Sequence, residues 1–237
     1  MSIQVNPNSV RRFLFVCIGF LLMGHILAFV LDYVRHSGSR TAKNIIRWFD
    51  FNLENNVPTW FSVCLLALSM LLLWVIYLHH RSTADSEARK WLILCAIFFL
   101  LSVDEMVQVH EEVAHLLRPR LGPDSPTIFY WAWVIPYGIF ALVAAIYFMR
   151  FVWRLPPNTR KLFIISGGLF ISGALGLELV EGHFFVKYGL NHIYNRILYC
   201  IEELMEMGAI ALFIYALLLY IAENEIQLEL STKPRTG

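Results

Sequence analysis

Nine carboxylic acids sit where the chain otherwise reads as hydrocarbon: Asp104, Glu105, Glu111 and Glu112; Glu178 and Glu181; Glu202, Glu203 and Glu206. They fall in three long apolar stretches that contain no Lys or Arg. An ionised side chain at the centre of a bilayer costs about 2.5–3.5 kcal/mol. Unpaired, these acids would oppose insertion, so protons, metal ions or cavity water must neutralise them.

Helical spacing gathers the acids into stripes. At 100° per residue, Asp104, Gln108, Glu111 and His115 fall within about 60° of arc on one straight helix. Glu178 and Glu181 are i, i+3 neighbours, and Tyr199, Glu202, Glu203 and Glu206 share about 100° of arc. Glu111, Glu178 and Glu203 each lie near six residues from the same end of their stretches, roughly 9 Å below one surface. His25 falls near that depth, with Asp32 at the mouth. The expectation is one acidic site assembled from three helices, with its side chains within reach of a shared ion.

Carboxylates with one or two imidazoles suit iron or manganese, whereas copper favours softer sulfur ligands. Glu112-Val113-Ala114-His115 is an E-x-x-H, the unit that supplies two ligands from one helical face in di-metal bundles. The expected metal ligands are Asp104, Glu111, Glu112, His115, Glu178, Glu181, Glu202, Glu203 and Glu206. Gln108, Tyr199, His110, His183 and His25 are expected to orient them from behind, with His25, His110 or His183 also able to stand in for the missing second E-x-x-H histidine. The chemistry such a site supports is redox work of the hydroxylase or desaturase type on a hydrophobic or lipid substrate within the bilayer. Two alternatives remain open: a proton or divalent-cation transporter that uses the same acids as a relay, and a non-enzymatic assembly protein whose acids bind a partner's basic residues. The relay is disfavoured by the almost wholly apolar inner halves of the stretches.

The elements that must hold these residues follow from composition. The chain has 237 residues, 58% hydrophobic and only 16% charged, against about 25% charged in soluble domains. Net charge is +1, so no attraction to nucleic acid is expected. Six stretches are long enough to span a bilayer, near 13–33, 58–79, 91–117, 127–149, 162–184 and 197–221. The expected fold is an all-α polytopic membrane bundle of about six helices, one membrane domain over 1–237. The first stretch is too long for a signal-peptide core and reads as an anchor.

Boundary signals are expected at Asn56 and Pro58, at Ser125-Pro126, and at Asn158 or Thr159. Pro136 is expected to kink the fourth span, and Trp60, Trp91, Trp131 and Trp133 to mark the interfaces. Gly168, Ser172 and Gly176 form a small-residue ladder suited to close helix approach. His79, His80 and Arg81 read as a cationic span end. Ala42, Ile45, Ile46 and Phe49 line one face of a helix near 41–51 opposite Lys43, Asn44, Arg47 and Asp50, an amphipathic element for the headgroup plane.

Asp50-x-Asn52-x-Glu54 lacks the glycine and the terminal Glu of a calcium loop; a polar flap over the acidic mouth is the better reading. Cys17, Cys64, Cys95 and Cys200 lie in different spans and suggest neither disulfides nor a zinc site. The Lys and Arg distribution favours both termini in the cytoplasm and the acidic site in the outer leaflet.

Overall fold

The computed structural model describes residues 5–34, 39–122, 124–189 and 191–226. Arg35, Lys233 and Arg235, used above for orientation, lie outside them. The described elements are helical, with no strand among the described residues: α1 (Pro7–Tyr33), α2 (Arg40–Phe49), α3 (Val57–Ser82), α4 (Ala88–Val107), α5 (Val109–Leu117), α6 (Val134–Arg154), α7 (Pro157–Ile171), α8 (Glu178–Tyr188) and α9 (Ile193–Glu223). A π-type stretch, Ser172–Leu177, joins α7 to α8. Five helices are long and apolar enough to cross a membrane, counting α7 through α8 as one, and the bent pair α4 and α5 makes a sixth. The chain is a multi-pass helical bundle.

Helix starts follow capping chemistry. The Asn6 side chain accepts the backbone N–H of Asn8 at 2.9 Å, and Asn56 accepts that of Thr59 at 3.1 Å, each followed by a proline whose missing N–H is no loss there. α7 begins at Pro157, with Asn158 and Thr159 already inside it rather than capping it. Ser125-Pro126 does not open the fourth span. Thr127–Phe129 is a 3₁₀ turn and α6 starts only at Val134. Pro136 therefore sits in the first turn, where it disturbs no hydrogen bond, and does not kink the helix.

α9 is the central post, with Met207, Ile214 and Leu217 fully buried. α1 runs antiparallel to it, tied at both ends: the Tyr215 hydroxyl donates to Asn8 Oδ1 at 3.2 Å, and Arg196 meets Asp32 at 2.8 Å. The outward faces of α1 and α6 are apolar and exposed, as lipid-facing helices require.

Several local expectations are overturned. Trp91 is fully buried among Phe151, Phe163 and Tyr220, not at an interface. His80 turns inward to Asp85 and Tyr220, at 2.7 and 2.9 Å. The close approach of the fifth span to α9 is made by Gly173, where an added Cβ would lie 3.2 Å from Met205 Cβ and 3.4 Å from Glu202 O. Gly168, Ser172 and Gly176 are exposed on another face. The stripe that packs on the bundle is Thr159, Phe163, Ser166 and Gly173. α2 is amphipathic as expected, but its apolar face is covered by α1, with Phe49 seated on Gly24.

Candidate metal centre

The third span is not one helix. Gln108 adopts a left-handed conformation (φ 59°), and α5 leaves α4 at 74°. The break is held by Asp104. Its Oδ1 accepts the backbone N–H of His110 at 2.8 Å, satisfying a donor left free at the start of α5. Glu111 and Glu112 then occupy the first turn of α5, where the helix dipole favours negative charge. The single stripe of Asp104, Gln108, Glu111 and His115 is thus broken at Gln108.

Folding the span back nonetheless brings the acids into one cavity of about 940 Å³ at the end of the bundle where α4, α8 and α9 meet. Asp104, Glu105, Glu111, His115, Glu178, Glu181, Glu202, Glu203 and Glu206 all line it, with His110 and Tyr199. Glu112 is exposed and does not line it, so the E-x-x-H does not present both its ends to the cavity. Gln108, His183 and His25 also lie outside the lining. His183 is exposed and paired with the Thr127 hydroxyl at 2.8 Å.

Two compact groups stand out. Ligand atoms of Glu178, Glu181 and Glu202 lie within 4.8 Å of one another, as do those of Glu54, His110 and Glu111. Side chains within such a radius can share an ion. Glu181 Oε1 is buried without a hydrogen-bond partner, an arrangement a buried carboxylate oxygen does not normally tolerate. Among the described residues no Lys or Arg pairs with any carboxylate of the cavity.

Supporting hydrogen bonds fix both groups. His110 Nδ1 lies 3.3 Å from Asp104 Oδ2, and the Tyr137 hydroxyl donates to Asp104 Oδ1 at 3.1 Å. Trp133 Nε1 donates to Glu178 Oε1 at 2.9 Å, while its ring packs on that of His110 at 5.1 Å. Asp104 therefore orients His110, and Trp133 links the two groups.

Glu54 was hidden from sequence reasoning because it lies between spans. Its only sequence signal is the polar run from Asp50 to Asn56 at the correct end of the bundle. That run is a fixed flap. Asn56 Nδ2 donates to the carbonyls of Asp50 and Leu53 at 2.7 and 2.6 Å. The Phe51 N–H donates to buried His25 Nδ1 at 3.1 Å, with the two rings stacked at 4.4 Å. Tyr199 packs edge-on to His25 at 5.9 Å. His25 and Tyr199 thus act through the flap. Glu54 accepts from the Thr59 hydroxyl at 3.4 Å. Its open surface faces the cavity, and burial there raises its carboxyl above the ordinary value, with His110 opposing and Glu111 adding to the rise.

Residues 13–221 match the family described as a Domain of unknown function (DUF8692). The chain belongs to that family. Comparison with curated proteins and with solved structures gives no match.

Proposed function

We propose that the cavity holds one or two ions of iron or manganese and that the protein is a membrane oxidoreductase, of the hydroxylase or desaturase type, acting on a lipid-soluble substrate. The observation that carries this reading is the pair of three-residue groups, each within 4.8 Å, drawn from separate elements into one cavity. Their donor set is oxygen with one nitrogen, matched to hard or borderline cations. Glu178, Glu181 and Glu202 would hold one ion, and Glu54, His110 and Glu111 the other. Glu105, Glu203 and Glu206 line the same cavity and would contribute further oxygens or hold protons. When bound, the metal offsets the negative charge and supplies redox chemistry at an open coordination position. Asp104 fixes the His110 ring, and Trp133 fixes the Glu178 carboxylate. Trp131, Trp133 and Tyr137 form an aromatic wall of the cavity.

A conduit would need a polar route to the other end of the bundle, and the cavity beyond the acids is apolar. The orientation proposed is both termini cytoplasmic, which sets the acidic end in the outer leaflet. Elemental analysis of detergent-purified protein tests the reading. Stoichiometric iron or manganese is expected, with loss of at least one ion in Glu178→Ala and in His110→Ala. A folded, metal-free protein that gains no metal on reconstitution would overturn it.

A further inference from the structure

The acidic basin is only one end of its cavity. Beyond it the walls are apolar: Leu94 and Ile97 on α4, Ala144 and Trp153 on α6, Phe163 and Gly168 on α7. On α6 the lining runs along a single face from Tyr137 to Trp153, a length of about 24 Å at 1.5 Å per residue. Small residues keep this arm open, since a methyl group placed at Gly167 or Gly168 would meet no atom within 4 Å. The whole volume, about 940 Å³, lies at the upper end of the roughly 300–1,000 Å³ that encloses one small organic ligand.

We infer that the arm between α4, α6 and α7 binds the single long hydrocarbon chain of a lipid whose uncharged, oxygen-bearing terminus lies in the acidic basin, an assignment that rests on the basin being the reacting end and adds the substrate class. Length selects a long chain, and a volume of about 940 Å³ with the basin included selects a single chain over the two of a glycerolipid. Charge selects the terminus. Nine carboxylic acids line the cavity against one arginine, Arg118, which is taken by the Ser125 hydroxyl at 3.0 Å and the Tyr130 ring; the acids outnumber the charges that two divalent ions would bring, so a carboxylate or phosphate terminus is disfavoured. At the junction of arm and basin, the Tyr137 hydroxyl is held by Asp104, placing hydrogen-bonding groups where the chain ends. The opposite face of α6 provides an internal control: Ile139, Leu142, Val143 and Ile146 are exposed and line no part of the cavity, whereas Met149 and Trp153, as exposed at 58 and 63%, line its open side.

Photolabelling of the full chain in phosphatidylcholine nanodiscs with a diazirine-bearing octadecanol tests this. Adducts are expected on the arm, at Ala144, Phe148, Met149, Val152, Phe163 and Gly168, and should fall about tenfold under competing octadecanol but not octadecanoate. Gly168→Leu and Ala144→Phe, which fill the arm from two helices, should each lower labelling about tenfold with metal content unchanged. Adducts spread equally over Ile139, Leu142, Val143 and Ile146, or equal competition by octadecanoate, overturn the inference. Wild-type competition decides the matter if the variants do not purify as monodisperse protein. Metal is measured on the same samples: an unlabelled arm in metal-replete protein defeats the lipid assignment alone, and a labelled arm in metal-free protein defeats the metal reading alone.

Discussion

His110 carries more of the site than its place in the sequence suggests. A helical wheel turns it away from His115 and into the supporting set, yet the structure places its ring beside Glu54 and Glu111 and gives its backbone N–H to Asp104. Asp104, expected as a ligand, is the group that holds the His110 ring and backbone N–H. The two jobs of Asp104 separate experimentally. Asp104→Asn keeps an oxygen to accept the His110 N–H but loses the charge that faces the ring, so it should weaken metal binding roughly 10–100-fold with little change in melting temperature. Asp104→Ala should lose both, adding about 1 kcal/mol of destabilisation from the missing cap. Metal titration and thermal melts of the two variants, side by side, check this. Glu54 escaped notice for a plain reason: carboxylates in loops are common, and nothing in the spacing of residues 50–56 records that His25, a whole helix earlier, pins the loop.

At the scale of elements, hydropathy alone located the spans because each is a long apolar run. It could not reveal the break at Gln108, which lies inside such a run and has neither proline nor glycine to mark it; only the Asp104 side chain closing on His110 makes it intelligible. The π-type stretch at Ser172–Leu177 is similar, since it changes which small residue faces α9 without changing composition. That difference is measurable. Gly173→Val should destabilise the bundle by about 1–3 kcal/mol through overpacking against Met205 and Glu206. Gly168→Ala, with open space around it, should be neutral or stabilising by up to about 1 kcal/mol. Chemical denaturation in mixed micelles distinguishes the two, and equal effects would mean that the wrong face has been placed against α9.

For the whole molecule, the end of the bundle far from the basin carries an acid-sensitive contribution to stability. Far from the basin, the turn between α3 and α4 holds Asp85 and Glu87. The backbone N–H of Glu87 and then His80 hold Asp85 below its ordinary value, while Lys90 and then Arg154 do the same for Glu87. A carboxyl depressed in the folded state stabilises above the unfolded value, near 4, and that contribution disappears as pH falls through the lower folded value. Wild type should therefore lose stability relative to Asp85→Asn/Glu87→Gln between about pH 5 and 3. At neutral pH the Glu87 pairs contribute only about 0–1 kcal/mol, being near the surface. Melting curves of both proteins across that range give the difference directly, and parallel curves would show that the turn contributes nothing.

The order in which the two clustered groups arrive along the chain has a consequence for biogenesis. Glu54, His110 and Glu111 all precede α6, whereas the second group cannot close until Glu202 arrives on α9, the last of the described helices in chain order. Glu178 and Glu181 therefore enter the bundle before Glu202, and of the two only Glu178 has an earlier-made partner, the Trp133 indole N–H that donates to it at 2.9 Å.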